Sequence, residues 1–147
     1  MRFAYADPPY PGQAARWYRK HADYAGEVDH ADLFHQLETF DAWALSTSMT
    51  ALREVLPLAP AKTVIGVWHK PNSEPPGAAN GIWHWYCWEP VLLKPGRRRV
   101  DVQNVLRTHA NTGFLGNVIT GQKPDTFCFW LFRILGAEPT DEFVDLF

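Results

Sequence analysis

At 147 residues and a net charge of −2, the chain is long enough for one domain with a sizeable core and exerts no global electrostatic pull on nucleic acid. No apolar run approaches membrane-spanning length, and the first residues lack the apolar segment of a signal peptide, so a soluble, cytoplasmic protein is expected. Cys87 and Cys128 are isolated and lack metal-type spacing, which fits reduced thiols better than a disulfide scaffold.

Strands alternate with helices along the chain, which predicts a single α/β domain over residues 1–147. Arg2 to Ala6 reads as the first strand, and Pro11 to Val28 as a long loop. Asp29 is placed to cap a helix with Asp32 in its first turn and Leu33, Phe34 and Leu37 on its apolar face. Trp43 to Thr47 predicts a second strand, and Ser48 a cap for a helix carrying Leu52, Val55 and Leu56. Thr63 to Trp68 is a β-branched third strand. Asn72 to Gly81, rich in Pro, Gly and Asn, predicts a mobile loop. Trp83 to Leu93 predicts a fourth strand, with Pro90 requiring an edge position or a bulge. Gly96 to Gly121 carries no clear periodicity and is expected to be mostly irregular. Pro124 opens a helix with Phe127, Trp130, Leu131, Ile134 and Leu135 on one face, and Gly136 ends it. Glu142 to Phe147 is a last strand.

The tetrapeptide Asp7-Pro8-Pro9-Tyr10, directly after the first strand, carries the most chemical information. An exocyclic base amine is a poor nucleophile because its lone pair is delocalised into the ring. A carboxylate and a backbone carbonyl that both accept its hydrogens can orient the nitrogen for attack. Pro8 lacks an N–H and has a fixed φ, so it presents its carbonyl rigidly and forces Asp7 to be extended. Tyr10 can offer an aromatic face to a base removed from its stack. The plainer reading is a Pro-rich turn after a strand, with Tyr10 half-buried.

This stretch resembles motif IV of the amino-methyltransferases, S-adenosyl-L-methionine-dependent enzymes that methylate adenine N6 or cytosine N4. Further segments resemble the same class in the same order. Trp43 to Ser48 takes the place of the strand and cap that follow the catalytic loop. Glu89, in Trp88-Glu89-Pro90-Val91-Leu92-Leu93, resembles the Glu-containing strand of the messenger-RNA adenosine methyltransferase family and its phage DNA relatives. Gln122-Lys123-Pro124 resembles the Lys-Pro that opens a helix near the cofactor, and Phe143 to Phe147 the start of motif I. The resemblance implies a Rossmann-like methyltransferase sheet with flanking helices, in a permuted order with the catalytic motif first. It implies catalysis by Asp7, Pro8, Pro9 and Tyr10, and cofactor contacts from Asp7, Gln122, Lys123, Pro124, Asp145 and Phe147. The family continues past the position of Phe147 into a Gly-rich turn, so the sheet is expected to be incomplete at its cofactor end. A homo- or hetero-oligomer could then complete the cofactor site.

The implied substrate is a flipped DNA base. Adenine N6 is preferred on the Tyr ending and the resemblance alone; cytosine N4 and RNA stay open. Two basic groups are placed to track phosphates: Arg16, Arg19 and Lys20, interleaved with Trp17 and Tyr18, and Lys94, Arg97, Arg98 and Arg99 after the fourth strand, the triplet beside Gly96; the plainer reading of each is a solvated surface. The alternative is a catalytically inactive methyltransferase-like module that binds nucleic acid or protein. His84 and Cys87 lack a second ligand pair, and no hydrolase elbow or P-loop is present, so no metal is expected.

Overall fold

The computed structural model describes residues 1–12, 14, 19, 26–71, 87–109 and 122–147. Strand β1 spans Arg2–Ala6, helix α1 His30–Leu37, and β2 Ala42–Ser46. A short helix α2, Leu52–Val55, runs into a single 3-10 turn, Leu56–Leu58. Strands β3 (Val64–His69), β4 (Trp88–Lys94) and β5 (Val105–Arg107) follow, then helix α3 (Asp125–Leu135) and β6 (Glu142–Asp145).

The six strands form one mixed sheet in the order β5-β3-β4-β2-β1-β6. β1 is parallel to β2 and β6, and β3 is parallel to β5, whereas β4 is antiparallel to both β2 and β3. Five strands therefore share one direction and β4 opposes them, so the sheet is α/β but not wholly parallel. Consecutive strands such as β3 and β4 can pair antiparallel without a crossover helix between them.

Pleating divides the core into two layers. Ala4, Ala6, Trp43, Leu45 and Leu92 face α1, where Leu33, Phe34 and Leu37 close over them. Phe3, Tyr5, Ala42, Ala44, Val91 and Leu93 face α3, which contributes Phe127, Trp130, Leu131 and Leu135. The two helices thus cover opposite faces. Their ends follow local chemistry. Asp29 Oδ1 accepts the Ala31 and Asp32 amides at 2.8 and 3.2 Å, satisfying two orphan donors of α1. Past the end of α3, Gly136 adopts φ 78°, and the amides of Gly136 and Ala137 return to Arg133 O and Phe132 O. A Cβ at Gly136 would lie 2.6 Å from Arg97 Cβ and 2.9 Å from Arg97 O, so both conformation and space demand glycine.

One expectation needs correction and two gain detail. Pro90 is neither at an edge nor in a bulge: it is buried on the interior strand β4, opposite Val67. Its nitrogen and carbonyl face β2, where pairing runs out, and the Thr47 amide still donates to its carbonyl at 3.1 Å. The missing proline N–H therefore removes only one ladder bond, at the end of the β2 ladder. The described part of the stretch after Gly96 is irregular except for the three-residue β5, anchored by the Val67 amide donating to Asn104 O at 2.8 Å, and residues 110–121 lie outside the described residues. The helix after Ser48 is only one turn long. Ser48 Oγ accepts the Ala51 amide at 3.1 Å, and Pro57 sits in the 3-10 turn that ends the helix. The expected loop at Asn72 to Gly81 and residues 83–86 of the expected fourth strand lie outside the described residues.

Candidate active site at the carboxyl ends of the strands

Pro8 ends β1, and alternation along the strand carries Asp7 onto the same side as Phe3 and Tyr5, the α3 side. Lys123, immediately before the Pro124 cap of α3, reaches the same point. Its Nζ lies 2.5 Å from Asp7 Oδ2, across 116 residues of sequence. The two side chains are 13% and 28% exposed, so the pair is largely withdrawn from water. Burial pushes the Asp7 carboxyl above its ordinary value; Lys123 opposes the shift, and the charges of Glu89 and Asp145 add to it. Desolvation outweighs the ion pair here.

Tyr5 stands two residues before Asp7. Its hydroxyl is 2.8 Å from Ser46 Oγ, and burial, reinforced by the Asp7 charge, pushes its ionisation far up. In the parallel ladder Tyr5 is opposite Asp145, and the Leu146 amide donates to Tyr5 O at 3.0 Å. β6 therefore delivers Phe143, Asp145 and Phe147 to the α3 side in turn. Between these strand ends and the first turns of α3 lies a cavity of about 610 Å³. Asp7, Gln122, Lys123, Asp145 and Phe147 all line it, together with Phe127, Phe132 and Phe143. Of the cofactor residues expected from sequence, only Pro124 is not on its wall; it is buried and caps the helix that carries Lys123.

A second charged pair was not anticipated as part of the site. Lys70, just past β3, pairs with Glu89 Oε1 at the start of β4, and both side chains are mostly buried. Trp68 stands between the two pairs, with Lys70 Nζ 5.0 Å and Lys123 Nζ 5.9 Å from its ring centroid, within the range of cation–π attraction. A small pocket of about 100 Å³ opens beyond Lys70 and Glu89, against Ser48, Thr50 and Trp88. Because β4 runs against its neighbours, its first residues lie at the same end of the sheet as the last residues of β1, β3 and β6. A sequence signal existed in part: Lys70 follows a strand end, but its partner depends on β4 direction.

Tyr10 is half-buried and packs against the α1-side cluster, so its ring does not line the Asp7 cavity. Pro8 is buried and Pro9 is half-buried beside it. Arg19 is exposed, while Arg16, Trp17 and Lys20 lie outside the described residues.

The Arg97 to Arg99 run is at the opposite end of the sheet. Gly96 and Arg97 donate their amides to Leu135 O at the end of α3, and β4 has by then run back to the start of β2. Arg97 grips Asp141 through Nη1 at 2.5 Å and Nη2 at 3.0 Å, donates to Gly136 O at 2.7 Å, and lies over the Phe3 ring. Arg97 and the chain's amino terminus hold the Asp141 carboxyl well below the usual carboxylate range. Arg99 pairs with Glu138 at 3.4 Å, and Arg98 is exposed. β1 separates the triplet from Asp7 by its full length, on the order of 15–20 Å at the usual strand rise. Arg97 thus fastens α3 and β6 to the start of the sheet.

Among the described residues, no helix is long and apolar enough to cross a membrane. No protein-family model matches the chain, and no curated protein matches it.

Proposed function

We propose that this chain is an S-adenosyl-L-methionine-dependent methyltransferase acting on the exocyclic amine of a base flipped out of DNA, with adenine N6 preferred to cytosine N4. The carrying observation is the placement of Asp7. The carboxylate of Asp-Pro-Pro-Tyr stands at the carboxyl end of β1, where open α/β sheets bind ligands, on the wall of a 610 Å³ cavity. β1 also marks the reversal of strand order, since α1 leads from it to β2 on one side and β6 lies on the other.

The cavity's chemistry fits the cofactor. Asp7 and Asp145 suit its positive charges, Lys123 is the cation available to its carboxylate, and Phe127, Phe143 and Phe147 offer apolar walls to its adenosine. When bound, that group supplies a methyl on a sulfonium. Asp7 accepts one hydrogen of the target amine and the Pro8 carbonyl the other, which aligns the nitrogen lone pair with the methyl. The resemblance assigns the face of the base to Tyr10, whose ring packs on the α1 side of the sheet. The proton leaves after transfer, so no general base is required. The rate gain comes from alignment of the amine with the methyl group. Phosphate contacts near the flipped base fall to Arg16, Arg19 and Lys20, which follow Tyr10, because Arg97, Arg98 and Arg99 are at the far end. The sheet is compatible with a Rossmann-like fold, and the permuted methyltransferase order belongs to the same proposal.

Calorimetric titration of S-adenosyl-L-methionine into the wild type and Asp7→Ala tests the reading. Binding that Asp7→Ala weakens, with methyl transfer to DNA that the variant loses, is the expected result. No binding at millimolar cofactor would overturn it and leave a non-catalytic binding module.

A further inference from the structure

We propose that Lys123 is an internal occupant of the position that the target amine needs, so that the site takes its ligands in order. An anionic group entering the cavity must first draw Lys123 away from Asp7, and only then can a base amine dock there. This inference rests on the methyltransferase reading.

The geometry sets up a competition. Lys123 Nζ occupies Asp7 Oδ2 at 2.5 Å, in a pair mostly shielded from solvent. An ammonium presents N–H donors, as an exocyclic amine does, but with a full positive charge. Charge-assisted hydrogen bonds are about twice as strong as neutral ones, so a neutral amine cannot displace Lys123 by itself. Yet Lys123 is the only cation among the described residues on the cavity wall. Among the described residues, a carboxylate in the cavity, such as that of an amino-acid moiety, has no other basic side chain to meet there. One lysine therefore answers two claims, and its flexible four-carbon stem allows it to move between them.

Charge balance explains why the exchange needs a ligand. Asp7 lies in the field of Asp145 and Glu89. Removing Lys123 without replacement would leave a shielded carboxylate among like charges, which is costly. A ligand that carries both a carboxylate for Lys123 and a positive centre for the space beside Asp7 gives each member of the broken pair a new partner, with no change in the site's net charge.

The test is the affinity of 9-methyladenine for the wild type and Lys123→Met, each alone, with saturating S-adenosylhomocysteine, and with saturating 5′-methylthioadenosine, which lacks the amino-acid end. The wild type should bind the base at least about tenfold more tightly with S-adenosylhomocysteine than in the other two states, a coupling in the ordinary range for linked sites. Lys123→Met should bind it equally in all three states, near the strong wild-type value. The nitrogen resonance of the wild-type Lys123 side chain should shift with S-adenosylhomocysteine and not with 5′-methylthioadenosine, a readout independent of how the variant folds. Coupling that persists in Lys123→Met, or a Lys123 signal unmoved by bound S-adenosylhomocysteine, overturns the ordering while leaving the methyltransferase reading in place. Failure of the wild type to bind S-adenosylhomocysteine, or to bind the base in all three states, removes that reading, and the ordering with it.

Discussion

Phe127 joins the fold to the site, and truncating it measures how firmly α3 is held. Its side chain is fully buried, with ring centroids of Trp68, Trp130 and Tyr5 at 5.0, 5.7 and 6.0 Å, all in tilted arrangements. Phe127→Ala removes the ring's transfer energy and leaves a cavity that three rigid aromatic neighbours cannot easily refill. Such changes cost about 3–5 kcal/mol, and the ring contacts favour the upper part of that range. For a chain of this length each kcal/mol moves the thermal midpoint about 2–4 °C, so a fall of about 8–20 °C is expected. Phe129, two residues on and 66% exposed, is the internal control: Phe129→Ala should change stability by no more than about 0.5 kcal/mol. Urea unfolding followed by tryptophan fluorescence and circular dichroism gives both values. The reasoning would be refuted if Phe127→Ala lost less than about 1 kcal/mol, or if the two variants lost equal amounts. Because Phe127 also lines the cavity, the proposed methyltransferase function further predicts that its loss weakens S-adenosyl-L-methionine binding beyond any effect of Phe129→Ala.

Gly136→Ala should destabilise by about 1–3 kcal/mol from the left-handed backbone alone, with more from the contact with Arg97; an unchanged denaturation midpoint would contradict the geometry at the end of α3. Asp7 makes a pH prediction with an unusual sign. Its folded ionisation lies above the ordinary value of 3.8, so the native state holds its proton more tightly than the unfolded chain. Its contribution to stability is then fully present below the ordinary value and is lost as pH rises through the raised one. The wild-type stability minus that of Asp7→Asn should therefore fall with rising pH across that window. A difference that stayed flat or rose would show that Lys123, not burial, dominates the carboxyl.

Within the sequence alone, the legible features were those set by neighbours along the chain. Asp29 caps α1 because its carboxylate reaches amides two and three residues on, Gly136 ends α3 because only glycine adopts the required φ at no cost, and Pro8 ends β1 by removing a donor. The continuous apolar run from Phe3 to Ala6 fits a strand buried on both faces, and the helical spacing from Phe127 to Leu135 reports the face that α3 buries. Asp7 and Lys123 could be assigned to the same end of a sheet, since one closes a strand and the other opens a helix.

What tertiary structure decided was every partner distant in sequence. Whether Pro90 sits at an edge depends on where the β2 ladder stops. Whether Arg97 is free for phosphate depends on Asp141, which arrives from beyond α3 and takes its guanidinium. Tyr10 turns toward the α1-side core, and the Lys70–Glu89 pair exists because β4 runs against its neighbours and returns Glu89 to the end where β3 leaves Lys70. Strand order and direction are properties of the whole chain's packing, and no local preference encodes them. The same holds for the contact between Lys123 and Asp7: sequence placed both at one end, but only the packing of α3 against β1 set one against the other, at a depth where burial outweighs their attraction.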